Sequence, residues 1–230
     1  MTRQLSSVRR AAAVALAAGA LTLAGCVAPP KAYDYAAFSE SKPASLLVLP
    51  PLNDSPDIKA TPSVWAHATL PLSEAGYYVL PVALVDETFR QNGVTTAVDA
   101  QQLPPQKLRE VFGADAALYL HVKNYGTRYA VISSETRVEV EGRILDLRTG
   151  SLLWEGKAAA SSAEQQQQSQ GLVGLLVTAL VNQIVGTTTD AAYNYAGIAN
   201  NRLLAAPRFN GVLPGPRSPL FGQPPVASPR

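Results

Sequence analysis

The side chains able to do chemistry are few in this chain and thinly spread. There are two histidines, His67 and His121, and a single cysteine, Cys26. Asn53, Asp54 and Asp57 stand together in Asn-Asp-Ser-Pro-Asp, directly after an apolar run. There they could hold a cation, or divide acid and base work between two carboxylates. The same residue types are what a tight turn requires, because their side chains bond the local backbone and proline fixes φ. Tyr119, Tyr125 and Tyr129 gather near Gly126, as an aromatic patch facing a partner or as half-buried strand residues. Asn53, Asp54, Asp57, Tyr125 and Tyr129 are therefore the candidate ligand-binding residues. His121 alternates with Leu120 and Val122, as a satisfied structural histidine on a central strand does. His67 reads as solvated on the polar side of a helix. No HExxH, GxSxG, GxGxxG or P-loop spacing occurs. No metal-ligand cluster converges, and one cysteine allows neither an internal disulfide nor a thiolate zinc site. The expectation is no metal, no cofactor and no catalysis; a hydrolase using Asp54 or His121 is the weakest alternative.

The cysteine has the most specific surroundings. Arg3, Arg9 and Arg10 precede Ala11 to Leu23, a stretch of only Ala, Val, Leu, Gly and Thr. That is the length of a signal-peptide core and too short to span a bilayer. Leu23-Ala24-Gly25-Cys26 resembles the lipobox of bacterial lipoproteins. The resemblance implies cleavage after Gly25, thioether lipidation of Cys26 and acylation of the new amine. An ordinary secretory signal with an incidental cysteine is the alternative. Twin-arginine export fits the flanks of Arg9-Arg10 poorly. Val27 follows the cysteine where an Asp would argue for inner-membrane retention, which favours the outer membrane. Each buried methylene contributes about 0.8 kcal/mol, so two or more acyl chains hold a protein firmly where one does not.

Composition narrows the partners. Removing residues 1–25 takes away three arginines, so 19 basic residues become 16 against 17 acidic ones, a net charge near −1. No field of one sign is left to draw in nucleic acid. About two hundred residues suffice for one domain with a real core.

The elements that would position these residues follow in order. Residues 26–43 read as a lipidated tether, with Tyr33, Tyr35 and Phe38 between Pro29-Pro30 and Lys42-Pro43. It is either a flexible spacer or a segment that docks on its own domain or on a partner. Leu46-Leu47-Val48-Leu49 reads as a strand buried on both faces, stopped by Pro50-Pro51. Thr61-Pro62 predicts a helix start, with Val64, Ala68 and Leu72 on one face, a kink or break at Pro71, and Gly76 at the end. Tyr77 to Leu80 reads as a strand. Helices follow from Pro81 to Asn92-Gly93, with Val82, Val85 and Phe89 inward, and from Pro104-Pro105 to Gly113, with Leu108, Val111 and Phe112 inward. Asp115 to Val122 reads as a central strand. Val138, Val140 and Ile144 then alternate against charged neighbours, with a phase shift at Leu145 and Leu147 that suggests a bulge. Asp146 to Gly150 is a hairpin turn, and Leu152, Trp154, Gly156, Ala158 and Ala160 share a face of the returning strand. The class is α+β: a mixed sheet with a C-terminal β-meander and helices packed against it.

Gly171 to Ile184 is strongly apolar but only fourteen residues long. It reads as a buried helix on the sheet, with membrane insertion or a subunit contact as alternatives. Asp190 to Leu204 is helical, with Ala192, Ala196, Ala199 and Leu203 along one side. The domain spans 44–205, and residues 206–230, with seven prolines in the last twenty-four, form a disordered proline-rich tail.

Several runs carry a family likeness together: Lys42-Pro43 before Leu46 to Pro51, Pro71 to Val79, Pro81-Val82, Asn92-Gly93, Phe112 to Ala116, Tyr125-Gly126 and Asp146 to Trp154. In this order the chain, over about residues 31–205, resembles a family of bacterial lipoproteins of unknown function that includes a Neisseria surface lipoprotein. The resemblance implies a fold similar to the N-terminal domain of TolB and to the periplasmic domain of curli-secretion-channel lipoproteins. It also implies a channel-like lipoprotein as company, and it supplies no catalytic residue. The expected role is a non-catalytic, lipid-anchored accessory or assembly subunit of an envelope transport or secretion complex. Its domain would face the periplasm or the cell surface, as a homo-oligomer or in a hetero-complex. The alternative is a small-ligand or cell-wall-binding module.

Overall fold

In the computed structural model, residues 31–130, 133–164 and 191–227 are described. The signal segment, Cys26, the start of the tether and the apolar run 171–184 lie outside them. The chain runs α1 (Ala36–Ser41), β1 (Ser45–Val48), β2 (Leu52–Asn53), α2 (Ala60–Glu74), β3 (Tyr78–Val79), α3 (Val82–Gln91), α4 (Ala97–Gln102), α5 (Pro105–Phe112), β4 (Ala116–Ala130), β5 (Ser133–Asp146), β6 (Leu152–Ser161) and α6 (Ala191–Leu204).

One mixed sheet, ordered β3-β1-β4-β5-β6, holds these together, and β2 adds to β4 beyond the end of β1. β1 lies parallel to β3 and β4, while β4, β5 and β6 form the antiparallel meander. Leu46, Leu47, Val48 and Leu49 are all fully buried, which is why this run carries no alternation. Pro50 and Pro51 interrupt the ladder for two residues before Leu52 and Asn53 rejoin it opposite His121 and Val122. A two-residue strand behind two prolines carries no periodicity of its own, so β2 is not predictable from local pattern.

α2 and α6 pack on the inner face. Trp65 Nε1 donates to the Val48 carbonyl at 2.9 Å, and Ala192, Ala196, Ala199 and Leu203 are buried as their spacing predicts. α2 begins at Ala60 with Lys59 as its cap, two residues before the expected cap Thr61 and first helical residue Pro62, and the Asp57 carboxylate accepts the Lys59 N–H at 2.9 Å. It continues through Pro71 to Glu74. Val111, expected inward, is exposed on α5, while Leu108 fills that helix's core position. The meander's phase shift is real: the register slips between Ile144 and Leu145. Opposite each other on the inner face, Gly142 and Gly156 make room for α6 and for the Trp154 indole. A Cβ on Gly156 would lie 2.5 Å from that ring.

One segment resolves an alternative left open, and another departs from expectation. Tyr35 and Phe38 are buried, so from Tyr33 onward the tether docks on its own domain. Residues 206–227, read as a disordered tail, pack as a strap. Tyr35 and Tyr77 hydroxyls donate to the Gly211 and Leu213 carbonyls at 2.5 Å, and Trp154 Nε1 to the Asn210 carbonyl at 3.0 Å. Val212 is buried, and Gly215 and Arg217 N–H groups donate to the Ala75 and Gly76 carbonyls. Proline content removes donors from this segment but leaves its carbonyls, and carbonyls are what the aromatic donors use.

Candidate functional site

The loop after β2 is built on its own side chains. Asn53 Oδ1 accepts from Ser55 N at 2.9 Å and Ser55 Oγ at 2.7 Å, and Asn53 Nδ2 donates to the Asp57 carbonyl at 2.9 Å. Asn53 and Asp57 thus serve the turn and the start of α2. Asp54 alone points to a partner across the sheet. Its Oδ1 lies 2.7 Å from His121 Nε2, and its Oδ2 accepts from Lys123 Nζ. These bonds, Lys123 first and His121 second, hold the Asp54 carboxyl below its usual range, and the same bond raises Lys123. His121 is thus satisfied, as expected of it, but by a loop carboxylate, and its ring is partly exposed rather than enclosed in the core.

The tyrosines do not join this group. A bulge between Val122 and Asn124 sets Lys123 aside and reverses the phase of β4. Tyr119 and His121 face outward, while Tyr125 pairs with Val138 and turns inward, where its hydroxyl lies 2.8 Å from Ser63 Oγ on α2. Tyr125 is a buried core residue. Tyr129 pairs with Ser134 near the far end of the hairpin, seven residues beyond the Val122–Asn53 pair. The expected ligand set of Asn53, Asp54, Asp57, Tyr125 and Tyr129 is thus not one site.

A different site lies on the outer face. An open cleft of about 500 Å³ is lined by Tyr119, His121, Glu141, Arg143, Glu155 and Lys157, with Leu52 and Gln101 at its margin. Gln101 Nε2 donates to the Pro50 and Leu120 carbonyls, both at 2.9 Å, which fixes α4 as the cleft's wall. Burial raises the Tyr119 phenol, and the nearby Arg143 partly offsets this. His67, expected in solvent, packs instead in the α2–α6 seam. Its ring centroid lies 4.3 Å from that of Tyr193, and Gly197 leaves space for it. Burial lowers its pKa, against a backbone hydrogen bond with Tyr193. Among the described residues no three His, Cys, Asp or Glu side chains converge as metal ligands, and no helix is long and apolar enough to cross a membrane.

Residues 33–217 match the family described as "Putative lipoprotein GNA1162-like". The chain belongs to this family. It is 47% identical over 201 residues to the "Putative lipoprotein NMB1124/NMB1162" of Neisseria meningitidis serogroup B, covering 87% of this chain and 93% of that one. The crystal structure of lipoprotein GNA1162 from Neisseria meningitidis aligns at 48% identity and a TM-score of 0.51, over 63% of this chain and 100% of that one. A PelC dodecamer from Paraburkholderia phytofirmans aligns at 15% identity and a TM-score of 0.40, over 70% of this chain and 96% of that one, a likeness too remote to bear on function. The family match extends past residue 205 to 217 and so takes in most of the packed strap.

Proposed function

We propose that this lipoprotein is held in the outer membrane through acylated Cys26 and serves, without catalysis, as an accessory or assembly subunit of an envelope transport or secretion complex. The observation that carries the reading is the outer face of the meander, whose charged side chains no described element covers. There Glu141 and Arg143 on β5 and Glu155 and Lys157 on β6 are all exposed beside the cleft, and opposite charges interleave over these two strands. Such a surface selects a protein partner by charge pattern and shape. Asp54, His121 and Lys123 satisfy one another at its margin, an arrangement suited to a rigid rim. The family name and the lipobox support the anchoring.

The test is crosslinking in intact cells from a photoreactive residue at Lys157, with capture from native membranes. An envelope protein crosslinked at that face is the expected result. A protein recovered alone, at monomeric mass, contradicts it. The second reading, a small-ligand or cell-wall-binding module, draws on the cleft's volume, which lies within the range of ligand sites. A saturable thermal shift with muropeptides, abolished by Arg143→Ala, would favour it.

A further inference from the structure

We infer that the outer face of the meander pairs with the same face of a second copy of this chain. This rests on the proposed reading of that face as a protein contact, and it names the occupant. β5 and β6 place Arg143 opposite Glu155 and Glu141 opposite Lys157, with the Gly142–Gly156 pair between them on the inner face. All four charged residues point outward and line the cleft. The two rows carry their charges in reverse order, so cations occupy one diagonal of a square and carboxylates the other.

A square of this kind is complementary to itself. A two-fold axis lying in the face and along the strands sets Arg143 of one copy over Glu155 of the other, and Glu141 over Lys157. An axis across the strands sets Arg143 over Glu141 and Glu155 over Lys157. Either operation places every cation on a carboxylate, which is what a closed, isologous contact demands. A face with one sign of charge, or with like charges along one row, fails one or both operations.

The second observation is that these charges are not already spent. Directly opposed cross-strand pairs of opposite sign ordinarily attract. Yet among the described residues none of the four closes an ion pair, although Asp54, Glu87, Glu110, Asp115, Glu139, Asp146 and Glu164 all do. All four side chains stand exposed. Tyr119 and His121 continue the two rows onto β4 with less charge, so the pattern is strongest toward β6, where a second copy gains most.

The experiment uses the full chain, co-expressed as two differently tagged copies and captured from detergent-solubilised membranes. Native copies should co-purify, and the yield should fall with added salt. Arg143→Glu with Lys157→Glu makes the square wholly negative; Glu141→Lys with Glu155→Arg makes it wholly positive. Two negative copies should lose at least about tenfold in co-capture, as should two positive copies. One negative with one positive copy should recover it, a recovery that misfolded variants could not produce. Native copies that never co-purify overturn the inference, as do negative copies that still pair or a mixed pair that does not recover. The wider reading is tested separately by the eluate. A second copy with no other envelope protein supports the self-contact and contradicts the complex; another envelope protein with no second copy does the reverse.

Discussion

The bulge at Lys123 gives Tyr119 and Tyr125 different neighbours, although simple alternation along a strand would put residues six apart on one face. Lys123 and Asn124 are both polar, so nothing in the sequence marks where the phase turns over. This is why Tyr125 and the Asn53–Asp57 loop looked like one site and are not. Asp54 could be singled out in sequence, but its partners His121 and Lys123 lie 67 and 69 residues away, and only the β2–β4 pairing brings them together. Tyr125→Phe should leave cleft properties unchanged and destabilise the fold by about 1–2 kcal/mol, because buried Ser63 loses its partner; urea unfolding measures this. His67 gives a pH signature. Its folded-state pKa is lowered, so the unfolded chain takes up protons first, and stability should fall as pH drops through the ordinary imidazole range. Urea midpoints at pH 7 and pH 5 should differ in that direction, and His67→Leu should shrink the difference.

At the scale of elements, the buried strand β1, the α3 stripe, Leu108 of α5 and the apolar side of α6 were legible because each rests on local periodicity. α4 was missed, since six residues give too little pattern. Its start is nonetheless written in Thr96, whose hydroxyl accepts the Asp99 N–H. The strap was misread for another reason: it is held by Tyr35, Tyr77 and Trp154, donors distant in sequence, so its own composition shows only prolines. Gly156→Ala should cost about 2–3 kcal/mol, because the Trp154 ring must leave the place a Cβ would take; thermal unfolding checks it. Asp146 secures α1 to the β5–β6 turn. Its carboxylate accepts from Ser41 Oγ at 2.6 Å and from the Arg148 and Thr149 N–H groups at 2.7 and 2.8 Å. Burial pushes its pKa up, but these bonds prevail and hold it below the usual value. Its contribution is therefore present above the ordinary carboxylate range and lost as pH falls below it. Asp146→Ala should cost about 3 kcal/mol at neutral pH and flatten the acid limb of a pH–stability curve.

At the scale of the whole molecule, the tether and the strap bear on each other. The Gly211 carbonyl and the Asn210 side chain hold Tyr35 and Tyr33, so the segment that follows Cys26 is fixed against the domain from Tyr33 onward. A chain ending at residue 206 should keep its sheet but lose protection from proteolysis at Tyr33–Ser41, which limited digestion would read out. The proposed anchoring at Cys26 would add to the proposed contact of a charged sheet face of modest size, since confinement to a membrane raises the effective concentration of neighbours. The most direct test is therefore intact-mass and N-terminal peptide analysis of the protein extracted from its own membranes. The account predicts a chain beginning at Cys26, carrying a diacylglyceryl thioether and an N-acyl group. A chain that keeps residues 1–25, or begins with an unmodified thiol, would contradict it.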